Sequence, residues 1–143
     1  MAGTKVSTVV EAPAEQVWEL LGDFHNLGGW HPGLPASSLG NELTGNAIGS
    51  VRVFEIDGAA LRETLLAYDE DARSYTYSFP EGAFELYGYR ATLRVTPVTA
   101  LDASFVEWGA TYDVEAEHRK DSADRLHGVF TAGLAALRER FAG

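Results

Sequence analysis

The sequence of 143 residues contains no cysteine, and this absence narrows the chemistry available to it. Without thiols there is no disulfide, no thiolate metal site and no cysteine nucleophile. The sequence also lacks any run of about eighteen apolar residues, so it predicts no membrane-spanning helix. Its N-terminus shows no basic flank followed by a long apolar stretch, so we expect no signal peptide and a cytoplasmic location.

Basic residues are scarce as well: 11 Lys and Arg stand against 21 Asp and Glu, which gives a net charge of −10. Nucleic acids and anionic membranes reward clustered basic side chains, so neither is expected as a partner. The glycine-rich phosphate and dinucleotide motifs and the GxSxG nucleophile motif are all absent. The histidines do not follow metal-ligand spacing, so we predict no metal and no cofactor.

The clearest pattern lies at the C-terminal end, where residues 120–141 carry apolar side chains at steps of three and four. This period predicts one long helix, about 30 Å in length, with a single apolar face. No second long helix is predicted, so this face is expected to lie across a sheet. The face consists of Ala123, Leu126, Phe130, Leu134, Leu137 and Phe141.

Most of the preceding chain consists of short β-branched and aromatic runs separated by turn residues, a pattern typical of strands. Two short helices, over 12–22 and 23–30, are predicted after the first strand, and Asp23 is expected to cap the second. The length and the absence of a linker indicate a single domain over 1–143. Seven strands are predicted, over 4–11, 36–43, 50–56, 59–67, 74–79, 86–96 (ending at Pro97) and 103–113.

Consecutive strands joined by tight turns favour an antiparallel sheet with the helices on one side, which is an α+β fold. Seven strands in series twist, so the sheet is expected to curve around the long C-terminal helix. A curved sheet touches a straight helix along a line rather than over an area. We therefore expect a cavity between the sheet and the helix.

The Asp57-Gly58 turn sets the register of the strands on either side, because a two-residue type I′ turn allows only one pairing. Arg52 is then opposite Glu63, on a face that also carries large apolar side chains. A buried ion pair has a high desolvation cost, so two interpretations stay open. The pair is either a polar anchor in a ligand cavity, with Arg52 binding a ligand oxygen, or a structural or exposed pair. The apolar side chains of this face are Phe54, Ile56, Leu61 and Leu65.

Aromatic and aliphatic side chains alternate along the last two strands and are expected on the inner face of the sheet. Apolar walls with few polar groups are typical of small-molecule pockets, although core packing explains the same residues. The facing of Tyr75, Tyr77 and Phe79 stays open, because the sequence leaves the preceding turn undetermined. The predicted inward set is Tyr87, Tyr89, Ala91, Leu93, Val95, Val106, Trp108, Ala110 and Tyr112.

The segment Trp30-His31-Pro32 follows the two short helices and is expected to line the entrance of the cavity. His31 is there a candidate to move a proton or to donate a hydrogen bond to a ligand. The alternative is an ordinary polar loop residue.

The chain resembles a known family in three stretches: APAEQVWELLGDF over 12–24, Trp30-His31-Pro32, and the closing part with YRATL over 89–93 and VEW over 106–108. Together with the C-terminal helix, these resemble the START-like superfamily, which includes the birch-pollen-allergen type and the bacterial polyketide cyclase/dehydrase type. The resemblance implies a helix-grip fold with a deep apolar cavity. It also implies binding of lipids, sterols, phenolics, hormones or polyketides, with cyclase or aromatase activity in a minority of members. The Arg52 and Glu63 positions fit the bacterial cyclase/dehydrase-type pattern.

The leading hypothesis is a protein, monomeric or homodimeric, that binds a small hydrophobic or aromatic ligand: a lipid, a phenolic or a polyketide-like compound. The alternative is a polyketide cyclase or dehydratase, in which Glu63 or His31 moves a proton and Arg52 stabilises an enolate. A third reading is a partner-binding module whose cavity is filled by side chains. The candidate ligand-binding residues are Trp30, His31, Arg52, Phe54, Glu63, Tyr89, Trp108, Tyr112, Leu126 and Phe130.

Overall fold

Alternating side chains and tight turns produce an antiparallel sheet in the computed structural model, which describes residues 1–142. Within these residues the sheet has seven strands in the order β1-β7-β6-β5-β4-β3-β2, and every neighbouring pair is antiparallel. This confirms the predicted α+β class and strand number. The strands are β1 (Ala2–Val10), β2 (Ser38–Leu39), β3 (Val51–Ile56), β4 (Ala59–Asp69), β5 (Ser74–Ser78), β6 (Leu86–Val98) and β7 (Ala103–Val114).

Two α-helices accompany the sheet in the described chain: the short α1 (Ala14–Leu21) and the long α2 (Arg119–Arg140). The second predicted short helix is a 3-10 helix over Phe24–Gly29. The Asp23 carboxylate accepts the N–H of His25 at 3.0 Å, as expected for its cap. Shorter 3-10 turns occupy Ala83–Glu85, Thr99–Leu101 and Ala116–His118.

The hairpin between β3 and β4 has the predicted register. Asp57 and Gly58 have φ angles of 51° and 82°, the positive values that a type I′ turn requires. Arg52 is consequently paired with Glu63, and Phe54 with Leu61. The hairpin therefore carries the ion pair into the interior, because this face of β3 and β4 points towards α2.

The predicted second strand is much shorter than expected, because only Ser38–Leu39 pairs with β3. Residues 41–48 are exposed and form a loop, so their few apolar side chains do not hold a ladder together. The strand β6 is longer than expected and continues through Pro97, which pairs opposite Ser104. The strand β5 reaches only as far as Arg94 along β6, and such an unpaired edge tolerates proline.

The prediction that Tyr87 points inward is wrong. The pairing of β6 with β7 shifts between Tyr87 and Arg90, and Gly88 within the shift has a φ of 59°. This bulge inserts one residue and reverses the alternation before it. Leu86 is therefore only 2% exposed, whereas Tyr87 is 47% exposed. Tyr75, Tyr77 and Phe79, whose facing was open, are buried in the core.

The apolar face of α2 buries Leu126, Phe130, Leu134 and Leu137, as its period predicts. The helix packs chiefly against β1 and, to a smaller extent, β7, which lie together at one side of the sheet. The inner face of β3 to β5 is thus covered less closely by α2. No helix within residues 1–142 has both the length and the apolar character that crossing a membrane requires.

Candidate functional site

A cavity of about 250 Å³ lies between the inner face of the sheet and α2. Its walls are mainly aromatic and aliphatic, with Glu63, Ser122 and Arg125 as polar members. Six predicted ligand-binding residues line it: Phe54, Glu63, Tyr89, Trp108, Leu126 and Phe130. The other lining residues are Leu27, Gly33, Leu34, Ile56, Leu61, Tyr77, Phe79, Phe84, Leu86, Ser122, Arg125 and Val129.

Arg52 and Glu63 form a fully buried ion pair through a single carboxylate oxygen. Arg52 Nε donates to Glu63 Oε1 at 2.8 Å, and Nη2 lies 2.8 Å from the same oxygen. Arg52 Nη1 donates to the carbonyl oxygen of Phe24 at 2.7 Å and to the Tyr75 hydroxyl at 3.3 Å. The backbone of the 3-10 helix and a strand β5 phenol therefore share in holding the guanidinium.

Aromatic rings also surround the Arg52 guanidinium. Its Cζ lies 4.1 Å from the ring centroid of Phe24 and 4.6 Å from that of Tyr77, within the range of cation–π attraction. Burial works to lower the pKa of Arg52, but Tyr75, the Glu63 carboxylate and Tyr77 raise it above its ordinary value. Arg52 thus stays charged. It is not among the residues that line the cavity, so it does not hold the direct ligand-contact position that the sequence predicted.

Glu63 is the member of the pair that reaches the cavity. It is 6% exposed, and its Oε2 accepts no hydrogen bond from residues 1–142. Burial raises the pKa of Glu63, with the charge and hydrogen bond of Arg52 opposing this rise. The site thus offers a carboxylate acceptor on a buried residue, next to the fixed positive charge of Arg52.

Tyrosine hydroxyls supply the remaining polar groups at the sheet side of the cavity. The Tyr77 hydroxyl accepts a hydrogen bond from Trp108 Nε1 at 3.1 Å. Burial raises the pKa of Tyr77 and of Tyr89 well above their ordinary values. Both phenols therefore stay protonated and act as neutral polar groups.

The structure contradicts the prediction that Trp30 and His31 line the cavity entrance. Both are buried, and His31 links the loop after the 3-10 helix to α2. Its Nε2–H donates to the carbonyl oxygen of Val129 at 2.7 Å, and its Nδ1 accepts the N–H of Gly33 at 3.0 Å. Both ring nitrogens are engaged in a neutral tautomer, and burial lowers the pKa of His31. These contacts take His31 out of the set of proton-transfer candidates.

Tyr112 is likewise absent from the cavity wall. Its hydroxyl and Thr4 Oγ1 lie 2.8 Å apart, in a hydrogen bond that ties β7 to β1. The side-chain alternation along β7 predicts its inward facing correctly, but it carries no information about where the cavity ends along this strand.

Several lining residues were missed by the sequence analysis. Ser122 lies four residues before Leu126 on α2, so the helical period indicates that both share one face of the helix. Arg125 lies directly before Leu126, and the period gives no such indication for it. Phe84 lies in a segment that reads as a break between strands, and no pattern there indicated it. The residues of the wall that are exposed, Gly33, Phe84 and Arg125, mark the mouth of the cavity.

At the mouth, Arg125 Cζ lies 5.4 Å from the ring centroid of Phe84. Phe84 and Glu85 have φ angles of 54° and 62°, which are costly for residues with side chains. Phe84 packs edge-on against Phe79, with ring centroids 5.6 Å apart. The strained turn thus presents an aromatic ring and a cation side by side at the opening.

A second groove, on the outer face of the sheet, is larger but open to solvent. It is lined by polar groups of β5, β6 and β7, including Thr76, Arg90 and Thr92, and the two threonine hydroxyls bond to each other at 2.8 Å. Among the described residues that line it, none has a buried side-chain nitrogen or oxygen without a hydrogen-bond partner. No three His, Asp or Glu side chains converge as a metal site anywhere in residues 1–142.

Comparison with known proteins gives a family and several related structures. The profile of the family described as "Polyketide cyclase / dehydrase and lipid transport" matches residues 1–142. The search of curated proteins finds no match. A solved structure from Thermobifida fusca is 36% identical and has a TM-score of 0.90, with 99% of this chain and 93% of that chain covered.

Two plant structures share the fold at lower identity. Ginseng major latex-like protein 151 from Panax ginseng is 22% identical with a TM-score of 0.77, covering 99% of this chain and 98% of its own. Norcoclaurine synthase from Thalictrum flavum, in complex with dopamine and hydroxybenzaldehyde, is 18% identical with a TM-score of 0.73, covering 96% and 84%. Sequence identities this low show similarity of the fold alone.

The profile match extends over residues 1–142, and it agrees with the seven-stranded sheet and the long C-terminal helix. The chain belongs to the polyketide cyclase/dehydrase and lipid transport family.

Proposed function

We propose that the protein binds a small hydrophobic or aromatic ligand in the cavity between the sheet and α2. The observation that supports this most directly is the apolar cavity of about 250 Å³ with the carboxylate residue Glu63 on its wall. Ligand sites are typically concave and apolar with a few placed polar groups. The third hypothesis is a partner-binding module whose cavity is filled by side chains. The empty volume between the sheet and α2 speaks against it.

The volume of the cavity favours a compact ligand. A cavity of about 150 Å³ lined by aliphatic and aromatic side chains accommodates benzene. A space of about 250 Å³ therefore suits one ring with a short substituent, or two fused rings. Among the predicted classes, this favours a phenolic compound or a small polyketide-like fragment over a long-chain lipid. The dopamine and hydroxybenzaldehyde bound by norcoclaurine synthase are of the same size class.

A cavity-filling variant tests this proposal. Leu61 lines the cavity, whereas Leu101 is 72% exposed and does not. Leu61→Trp is expected to abolish binding of one-ring and two-ring aromatic compounds in calorimetric titration, and Leu101→Trp is expected to leave binding unchanged. If neither the wild type nor the Leu101→Trp variant binds any compound of such a panel, the proposal fails.

A second candidate function is proton transfer in a cyclase or dehydratase, and the free Oε2 of Glu63 favours it. A carboxylate whose pKa is raised by burial is suited to general acid–base catalysis. His31 and Arg52 have no place in direct contact with a substrate, so Glu63 alone would carry the proton. The tyrosine hydroxyls of Tyr77 and Tyr89 would then stabilise charge that develops on the substrate.

Measurement of substrate turnover distinguishes ligand binding alone from catalysis. The wild-type protein is incubated with a poly-β-keto thioester, and cyclised product is measured by mass spectrometry beside Glu63→Gln. Product that forms in the wild type and falls by about a hundredfold or more in the variant supports catalysis. Equal rates in both proteins remove Glu63 from any mechanism.

A further inference from the structure

We infer that the cavity takes an amphipathic ligand in one orientation, with a hydroxyl donor at Glu63 and a carboxylate at Arg125. This inference rests on the proposed binding function and adds the chemical class of the ligand. Glu63 is at the buried wall and Arg125 is at the exposed mouth of the same cavity. The ligand class is therefore a small hydroxylated aromatic acid.

The inner end of the cavity offers a hydrogen-bond acceptor, the Glu63 carboxylate. Glu63 Oε1 is occupied by Arg52, and Oε2 has no hydrogen-bond partner among the described residues. An ionised carboxylate oxygen is a strong acceptor, and Oε2 is the one that the ion pair with Arg52 leaves unused. A hydrogen bond from the ligand to Oε2 is therefore the strongest polar contact that the inner wall offers.

A hydroxyl fits this position better than an ammonium group. The charge of Glu63 is already balanced by Arg52, whose Nη2 lies 2.8 Å from Oε1. A second cation in the cavity would meet the field of the Arg52 guanidinium without a free counter-charge. A neutral hydroxyl donates to Oε2 without that repulsion.

The outer end of the cavity offers a cation. Arg125 is exposed and lines the mouth, and it forms no ion pair within residues 1–142. Its guanidinium lies over Phe84, which leaves its edge available to a carboxylate. Its positive charge at the opening favours an anionic group there, although the net charge of −10 of the whole protein opposes this locally attractive field.

The acidic residues of the neighbouring turn are directed elsewhere. Both carboxylate oxygens of Glu81 accept the N–H of Gly88, at 2.9 and 3.1 Å. The Glu85 carboxylate lies 3.4 Å from His118 Nδ1. Arg125 is thus not neutralised by the turn that carries Phe84.

Four matched one-ring probes test both ends of the ligand separately. They are para-hydroxyphenylpropanoate, phenylpropanoate, para-propylphenol and propylbenzene, titrated calorimetrically into the wild-type protein at low and high salt. Removal of the hydroxyl is expected to weaken binding roughly tenfold or more, as for a hydrogen bond to a charged group. Removal of the carboxylate is expected to weaken binding about two- to fivefold at low salt, and less at high salt.

Two variants assign these effects to residues. Glu63→Gln is expected to remove most of the advantage of the hydroxylated probes, because Arg52 holds the amide oxygen and turns the NH₂ group to the cavity. Arg125→Gln is expected to remove the advantage of the carboxylates only. The matched controls are Glu107→Gln, an ion-paired carboxylate on the outer face, and Arg138→Gln, an exposed cation of α2 that does not line the cavity.

The outcomes separate the two proposals. If all four probes bind with equal affinity, the oriented ligand class is overturned while binding of hydrophobic compounds stands. If no probe binds, both proposals are overturned. Should Glu63→Gln fail to fold, the comparison of hydroxylated and plain probes on the wild type still decides the inner end.

Discussion

Arg52 approaches Glu63 with two nitrogens at 2.8 Å from one oxygen, Oε1, so Oε2 takes no part in the ion pair, and Glu63 also lines the cavity. A pair engaged through both carboxylate oxygens would be a closed structural contact. This one-sided arrangement combines a structural ion pair with an open acceptor. The sequence left open whether this pair is structural or binds a ligand. In the structure each residue has one of these roles: Arg52 is the structural member, and Glu63 carries the candidate binding oxygen.

Removal of the Arg52 charge is expected to destabilise the protein strongly. Arg52→Met leaves the Glu63 carboxylate buried without its counter-charge and frees the Phe24 carbonyl, at an expected cost of about 3–5 kcal/mol. Urea denaturation measures this cost. The double variant Arg52→Met/Glu63→Leu should be less destabilised than the sum of its single variants, since an apolar pair replaces the lone charge.

The matched control for this prediction is the ion pair between Lys5 and Glu107 on the outer face of the sheet. Lys5 Nζ lies 2.6 Å from Glu107 Oε1, but the Lys5 side chain is largely solvent-exposed. Lys5→Met is expected to cost less than about 1 kcal/mol. Equal costs for Arg52→Met and Lys5→Met would contradict a role for burial in the Arg52–Glu63 pair.

Gly133 is expected to be required for the close approach of α2 to the sheet. A Cβ at this position would lie 2.8 Å from both His31 Cδ2 and Trp108 Cζ3, so two rings would have to move. Gly133→Ala is therefore expected to destabilise the protein by about 1–3 kcal/mol, despite the better helix propensity of alanine. Thermal and chemical unfolding measure the change.

Gly128 on the same helix provides the control, because a Cβ there meets no atom within 4 Å. Gly128→Ala is expected to stabilise the protein by about 0.5–1 kcal/mol through helix propensity alone. Stabilisation by both substitutions would show that the rings at Gly133 move away without cost.

Acidification is expected to weaken the fold through His31. Burial lowers the pKa of His31 from 6.5 in the folded state, so below pH 6.5 the unfolded chain binds a proton that the folded chain does not. Stability attributable to His31 is therefore lost as the pH falls below 6.5. His31→Gln should reduce this loss in unfolding experiments between pH 7.5 and 5.

Glu63 contributes to the pH dependence of folding stability with the opposite sign to His31. Burial raises the pKa of Glu63 above 4.5, so the folded chain binds its proton first as the pH falls, and folding gains stability there. The difference in stability between the wild type and His31→Gln isolates the histidine from this effect.

His25→Gln is the control, since the pKa of His25 is also lowered but its ring is less deeply buried. A larger effect from His25→Gln would contradict the assignment to His31.

Ligand binding is expected to change the fluorescence of Trp108. Of the tryptophans, Trp108 lines the cavity, whereas Trp18 and Trp30 do not. An aromatic ligand should therefore alter the emission of the wild type and of Trp18→Phe, with little change in Trp108→Phe. Retention of the full signal in Trp108→Phe would place the bound ligand outside this cavity.

Local patterns were sufficient for the parts of the molecule that depend on neighbours in sequence. The Asp57-Gly58 turn predicted the pairing of Arg52 with Glu63, because a two-residue turn allows one register. The helical period likewise predicted which face of α2 is buried, including Leu126 and Phe130. Strict alternation failed at Tyr87, because a bulge at Gly88 changed it; a lone glycine inside a strand is the one local sign of such a bulge.

The sequence by itself thus determined the class of fold, the pairing of Arg52 with Glu63 and the apolar composition of the wall, since these follow from side-chain period and turn chemistry. Tertiary structure alone decided that Glu63 rather than Arg52 meets the cavity, that His31 binds Val129, and that Phe84 and Arg125 form the mouth. Each of these depends on contacts between elements far apart in the chain. The physical reason is that a local pattern specifies which face a residue occupies, whereas the packing of α2 against β1 and β7 determines how much space remains in front of it.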